Sequence, residues 1–151
     1  MDLVIKKFDE LNINELYEIL KVRCNVFVVE QNCPYLDMDD KDKYAYHMYL
    51  KSNQKIKAYL RIITDKNSPN EVTIGRVLTT ERGKGYSTII LNEAIKFSKE
   101  KLNVKRVIIN AQTYAKKVYE KFGFKPSSDE FLEDNIPHIQ MLLEIHWHIF
   151  F

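Results

Sequence analysis

The sequence predicts a single α/β (α+β) domain, and three observations predict it. The first lies mid-chain. Val72, Ile74 and Leu78 alternate with Thr73 and Thr79 as on a strand. Thr80-Glu81-Arg82-Gly83-Lys84-Gly85-Tyr86-Ser87 then holds two of the four glycines, and Ile90, Leu91, Ala94, Ile95 and Phe97 follow at helical spacing. The second is a pair of alternating apolar runs joined by Ser52-Asn53-Gln54, the pattern of a hairpin. The third is Val107-Ile108-Ile109, a continuous apolar run of the kind found in strands buried on both faces.

Composition narrows the class. The chain has 151 residues, enough for one core, and is 45% hydrophobic and 29% charged, which argues against disorder. Its 23 basic residues are scattered among 21 acidic ones for a net charge of +2, so no basic stripe points to nucleic acid. Cys24 and Cys33 sit in no metal or redox spacing, which predicts a reducing compartment. With no apolar run near ~18 residues and no basic-then-apolar leader, a cytoplasmic protein without a membrane partner is expected.

Taken in order, Leu3, Ile5 and Phe8 predict a short opening strand. Asn12 is placed to cap a helix with Glu15 at the capping-box position, and Leu11 and Leu16 fall at the ends of a hydrophobic staple. Leu16, Ile19, Leu20, Cys24 and Phe27 mark the buried face of that helix. Arg23 shares the stripe, so it snorkels, meets a carboxylate or faces a ligand cleft. The run Val26-Phe27-Val28-Val29 is too apolar for an exposed turn, and Pro34 ends regular structure. Asp37-Met38-Asp39-Asp40-Lys41-Asp42 reads as a solvated loop. As a calcium loop it fails, because Lys41 takes a ligand position, no glycine follows and Met48 stands where glutamate is needed.

Tyr46, Met48 and Leu50, then Ile56, Ala58, Leu60 and Ile62, give the hairpin strands. Asp65 to Asn70 is a turn into the glycine-loop strand. Beyond Val107-Ile108-Ile109, the residues Ala115, Val118, Tyr119 and Phe122 mark a helical face that Gly123 ends as a left-handed cap. A last strand alternates through Ile139, Met141, Leu143, Ile145, Trp147 and Ile149. His146 and His148 share its other face, two ligands being too few for a metal site.

The glycine loop carries the chemistry. A helix starting there offers unpaired backbone N–H groups and the positive end of its dipole, and glycine lets an anion approach the backbone. Phosphate is the natural occupant, with an exposed basic turn as the alternative. A Walker loop is excluded because Gly85, not Ser or Thr, follows Lys84. A dinucleotide fingerprint would place glycine at Thr88 and an acidic residue at the end of the next strand, residues 105–111, which has none.

Arg82-Gly83-Lys84-Gly85-Tyr86-Ser87 resembles the coenzyme A pyrophosphate loop of the GNAT superfamily of N-acetyltransferases, with Ser87 at the small final position. Arg23, Phe27 to Gln31, Pro34-Tyr35, Asp37, Asp39, Asp42 and His47, with Phe131 to His138 where Asn135 replaces a glycine, resemble the ElaA-like branch of that superfamily. Ala115-Lys116-Lys117-Val118-Tyr119-Glu120-Lys121-Phe122-Gly123-Phe124 is similar to its A-x-x-x-Y-E-K-x-G-F pattern.

These resemblances imply the GNAT fold over residues 1–151, a mixed, twisted sheet with helices on both faces whose central strands splay to admit the pantetheine arm. They imply acetyl-CoA as cosubstrate, with no metal. Its binding residues would be Val77, Leu78, Thr79, Arg82, Gly83, Lys84, Gly85, Tyr86, Ser87 and Gln112, a backbone N–H near Val77 or Leu78 polarising the thioester. Tyr119 would be the general acid, and Glu30, His47, His138 or a water relay the base. The acceptor would be the amine of a small molecule, cationic if Glu30, Asp37, Asp39, Asp42 and Glu133 line its side. A homodimer is compatible with all of this. A coenzyme A binding module without activity is the alternative.

Overall fold

Alternation and turn chemistry set the strands of the structure, a computed structural model that describes residues 1–146. Eight strands form a mixed sheet: β1 Asp2–Lys7, β2 Ala45–Ser52, β3 Lys55–Thr64, β4 Glu71–Thr79, β5 Arg106–Gln112, β6 Lys125–Pro126, β7 Phe131–Glu133 and β8 Ile136–Glu144. Three α-helices accompany them: α1 Ile13–Arg23, α2 Tyr86–Glu100 and α3 Lys116–Glu120. The chain forms two compact units, Met1–Ile63 with Gly75–Ala94, and Thr64–Ile74 with Ile95–Phe151. The expected Trp147, His148 and Ile149 positions of the last strand lie outside the described residues.

In the first unit β1 pairs antiparallel with β2 and β2 with β3. Asn53 (φ 52°) and Gln54 (φ 61°) make the two-residue β2–β3 turn, both left-handed as the twist of a tight hairpin requires. Asn12 accepts from the Glu15 N–H at 2.8 Å while Glu15 accepts from the Asn12 N–H at 3.0 Å, so the expected capping box forms. Burial alone would raise the Glu15 carboxyl. Bonds from the Asn12 N–H, Tyr49 Oη and Lys6 Nζ outweigh it and hold the group at about 2. Ile19, Tyr49, Ile56, Tyr59 and Leu78 form the core here, with Val4, Leu11, Val22, Val26 and Phe27 packed against it.

From Cys24 to Glu30 the α1 helix continues as a wider π-helix. Cys24, expected on the buried face, is exposed: its N–H still bonds to the Leu20 carbonyl, so it keeps the α register one residue past buried Arg23 and lies off the narrow buried stripe.

The acidic segment is not the solvated loop the sequence suggests. Asp37 and Asp42 are buried, and three arginines meet them. Arg23, 0% exposed, donates from Nε to Asp37 Oδ2 at 2.8 Å and from Nη1 to Asp42 Oδ1 at 2.7 Å. Arg61 donates to Asp42 Oδ1 at 2.9 Å and to both oxygens of Asp39 at 2.8 and 2.6 Å. Arg76 donates from Nε to Asp37 Oδ1 at 2.8 Å and from Nη2 to the Asp37 carbonyl at 2.9 Å. Of the three options for Arg23, carboxylate pairing is the one realised. Burial opposes ionisation of Asp39 and Asp42, but the guanidinium bonds prevail and hold both well below the ordinary carboxylate range.

In the second unit Glu71–Ile74 of β4 runs parallel to Arg106–Ile109 of β5, and β8 pairs antiparallel with β5, β6 and β7. Left-handed Asp134 and Asn135 turn β7 into β8; asparagine tolerates that region, so the missing glycine is not needed. Gly123 has φ 97°, as expected of the cap after α3. The helix itself is shorter than predicted because residues 113–115 wind as a 3₁₀ turn, and Val118 is exposed rather than on the buried face. The last strand stops at Glu144, leaving Ile145 beyond it.

Glu15, Asp39 and Asp42 have folded-state values below their unfolded ones, so their stabilisation is complete above pH ~4–5 and is lost as pH falls through the depressed values. Thermal melts should therefore plateau near neutrality and decline in acid. Asp42→Asn, which leaves Arg23 and Arg61 under-paired, should cost ~3–5 kcal/mol at pH 7 and flatten the acid decline. An unchanged acid slope in that variant would show that Asp42 is not held ionised by the arginines.

Candidate functional site

The glycine loop is built by two left-handed residues. Gly83 has φ 72° and Gly85 φ 75°, where an L side chain would be strained, and nothing lies within 4 Å of where a Cβ would stand at either. The Ile89 N–H reaches the Gly85 carbonyl at 3.3 Å, so α2 starts on glycine, with no side chain to cap the N–H groups of its first turn. Arg82 and Lys84 are exposed beside it. The one carboxylate of the loop, Glu81, is taken up by Lys57 at 2.7 Å, a bond that lowers Glu81 and raises Lys57. Concave backbone, open space and positive charge thus coincide at a helix start, an arrangement suited to phosphate oxygens.

The remaining candidates of the first unit divide. Leu78 of β4 is buried, while Val77, Thr79, Tyr86 and Ser87 are half-buried. Glu30 is exposed at the end of the π-helix. His47, named above as a base, is 0% exposed with both ring nitrogens engaged, Nε2 on the Asp42 carbonyl at 2.9 Å and Nδ1 on Tyr59 Oη at 2.7 Å. A carbonyl only accepts, so Nε2 carries the proton and Nδ1 accepts from the phenol. Burial lowers the His47 value further and keeps it neutral. This geometry leaves no nitrogen for an incoming amine, and His47 belongs to the charge cluster's support.

The second unit holds Gln112, Tyr119 and His138. Gln112 ends β5 directly across from His138 on β8. His138 is nearly buried, stacked on Phe131 with ring centroids 6.0 Å apart; its Nδ1–H donates to the Ile136 carbonyl at 2.7 Å, and Nε2 faces Glu133 Oε2 at 3.4 Å. Tyr119 packs edge-on against Phe124 with centroids 6.1 Å apart, and among the described residues its hydroxyl has no hydrogen-bond partner. Burial raises the phenol to about 12, so it stays protonated at neutral pH.

Sequence reasoning missed Arg61 and Arg76. A signal existed, since three acids lie close together in a segment with little regular structure while three arginines interrupt otherwise apolar patterns. The cluster also removes the basis for expecting a cationic acceptor. Asp37, Asp39 and Asp42 are committed to arginines, and of the acids invoked only Glu30 and Glu133 lie outside it.

Comparison with known proteins agrees with this geometry. The family profile described as an acetyltransferase (GNAT) domain matches residues 17–145. A UPF0039 protein of Schizosaccharomyces pombe is 40% identical over 149 residues, covering 96% of this chain and 98% of that one. Protein ElaA of Escherichia coli is 36% identical over 140 residues, covering 90% and 92%. Its crystal structure superposes with a TM-score of 0.88 over 95% of this chain and 100% of the other. An acyl-CoA N-acyltransferase from Pseudomonas aeruginosa gives a TM-score of 0.87 at 31% identity, covering 94% and 99%. Glycine loop, mixed sheet, sequence likeness and superposition converge, and the chain belongs to the GNAT acetyltransferase family.

Proposed function

We propose that the protein moves the acetyl group of acetyl-CoA directly to the amine of a small-molecule acceptor. The observation that carries this reading is the pair of left-handed glycines opening the fifteen-residue helix α2, a cradle for the pyrophosphate. Acetyl-CoA supplies the activated thioester; the C–S bond breaks, a C–N bond forms, and the chain's residues hold the partners and move protons.

Backbone amides from Gly83 to Ser87 bind the pyrophosphate, with Arg82 and Lys84 adding charge at the rim. Val77, Leu78 and Thr79 line the thioester, an amide of Val77 or Leu78 facing the carbonyl oxygen as charge builds there. Gln112 contacts the pantetheine arm. The amine must lose a proton before its lone pair can attack. His138 fits that task best of the three base candidates. Its Nδ1–H is fixed on a carbonyl, so in the neutral ring Nε2 is the accepting nitrogen, and a proton arriving there is met by Glu133. Tyr119 donates its proton to the departing thiolate; its phenol is protonated at neutral pH, though burial makes it a weaker acid than a free tyrosine.

The reading is tested by following thiol release from acetyl-CoA across a panel of small amines. Release that depends on an amine supports it; binding of coenzyme A without release under any amine would favour the binding module.

Gly85→Glu and Gly85→Gln share the same left-handed strain and differ only in charge. Calorimetry should show coenzyme A binding abolished in the glutamate variant and retained, weakened, in the glutamine one. Equal affinities would remove phosphate from the loop.

Tyr119→Phe keeps the ring and deletes the donor. A fall in kcat of ~10²-fold is expected, with acetyl-CoA affinity and melting temperature little changed. Turnover at the wild-type rate would make Tyr119 a packing residue.

A further inference from the structure

One residue of β4 has a conformation that strands do not favour. Arg76 has φ 52°. The other non-glycine residues with positive φ are Asn32, Asp40, Asn53, Gln54, Asn103, Asp134 and Asn135, all in turns and loops and all with short polar or amide side chains suited to that region. An arginine inside a strand is neither. Gly75, next to it, has open space around its missing Cβ and adopts φ > 0 freely, yet it is Arg76 that turns left-handed. Such a conformation persists only where the surroundings over-determine it.

The surroundings here are specific. The Arg76 fork grips Asp37 twice, Nε on Oδ1 at 2.8 Å and Nη2 on the backbone carbonyl at 2.9 Å, with Asp39 Oδ2 3.6 Å from Nη2. Its guanidinium carbon lies 5.5 Å from the Tyr35 ring centroid, and the Tyr35 hydroxyl bonds to the same Asp37 oxygen at 3.2 Å. Asp37 is in turn fixed by the fully buried Arg23. The Arg76 side chain is thus tied to both the carboxylate and the backbone carbonyl of buried Asp37. The next peptide unit carries the Val77 N–H, whose direction follows from the Arg76 dihedrals, and Leu78 comes one residue later.

We propose that Arg76 is a positioning residue. Clamped by Asp37 and stacked on Tyr35, it holds the left-handed kink in β4 and so aims the Val77 and Leu78 amides at the acetyl carbonyl. The inference rests on the acetyltransferase reading and adds the device that orients its backbone donors. Arg76 touches no reacting atom in this account; its guanidinium faces the clamp.

Two substitutions separate backbone from side chain. Arg76→Ala and Arg76→Gly both delete the guanidinium, but glycine takes the left-handed region without strain while alanine does not. With melting temperature and acetyl-CoA affinity measured alongside, kcat should fall ~10²-fold in the alanine variant and only a few-fold in the glycine variant. The infrared stretch of bound acetyl-CoA carrying ¹³C in its thioester carbonyl gives a second readout, independent of any acceptor. The band should move to lower frequency on binding to the wild-type and glycine proteins, and should lose that shift in the alanine one. Equal loss in both variants, with Asp37→Asn turning over at the wild-type rate, would mean that the guanidinium acts directly and not through its clamp, and no loss in either Arg76 variant that the kink is irrelevant; each overturns the proposal. A wild-type protein that binds acetyl-CoA without shifting the band would overturn it too while leaving the phosphate loop intact, whereas absence of binding would bring down the acetyltransferase reading first.

Discussion

Arg23 is a charged group with 0% exposure, and much of the first unit is arranged so that it is never unpaired. Moving a guanidinium out of water carries a penalty of several kcal/mol that only well-placed counter-charges offset. The structure supplies them as a closed set, three arginines against three aspartates, with no net charge left over. Burial by itself works against the Arg23 charge, but Tyr59, Asp42 and Asp37 raise the group above its ordinary range and keep it charged. The geometry constrains more than it stabilises. Arg23 ends α1, Arg61 lies on β3 and Arg76 on β4, while the acids come from a segment that forms neither α-helix nor strand. That segment is held by its charges, since its large apolar side chains Leu36 and Met38 point out to solvent.

The glycine loop follows the opposite strategy. The cluster fills its interior with matched side chains; the loop is nearly free of them, leaving open space at Gly83 and Gly85 where α2 begins. Left-handed backbone occurs in both, adopted freely by glycine at 83 and 85 and found also at Arg76, whose side chain is bound to Asp37. Pairing of Glu81 with Lys57 keeps an uncompensated carboxylate from standing beside the loop, where it would repel any anion.

Local features were legible in the sequence. The capping box at Asn12 and Glu15, the β2–β3 hairpin, the cap at Gly123 and the strand–loop–helix around Gly83 all depend on residues within a few positions of one another. The Arg–Asp cluster was not, because its bonds join residues 14 to 39 apart and an acidic run looks the same whether water or arginine meets it. Cys24 was misplaced for a different reason: the buried stripe of α1 is narrower than its apolar run, and Cys24 stands one position past buried Arg23. Of the candidate site, the left-handed glycine loop was legible, because backbone makes it. The surroundings of the histidines were less so, and His47 and His138, alike in sequence, proved to be a fully buried residue with both nitrogens engaged and one whose Nε2 faces Glu133.

The outermost strands of the two units bear on how copies of the chain meet one another. β6 is two residues long and one of them is Pro126, which has no N–H to offer a further strand; its neighbour Lys125 is exposed. At the outer strand of the other unit, β1, Lys6 and Lys7 supply charge that an approaching strand would have to bury. Strand-by-strand polymerisation is therefore discouraged at both places. At these two edges an added copy would bury lysine charge or forgo a ladder hydrogen bond, so neither is a ready seed for fibrils even at high concentration.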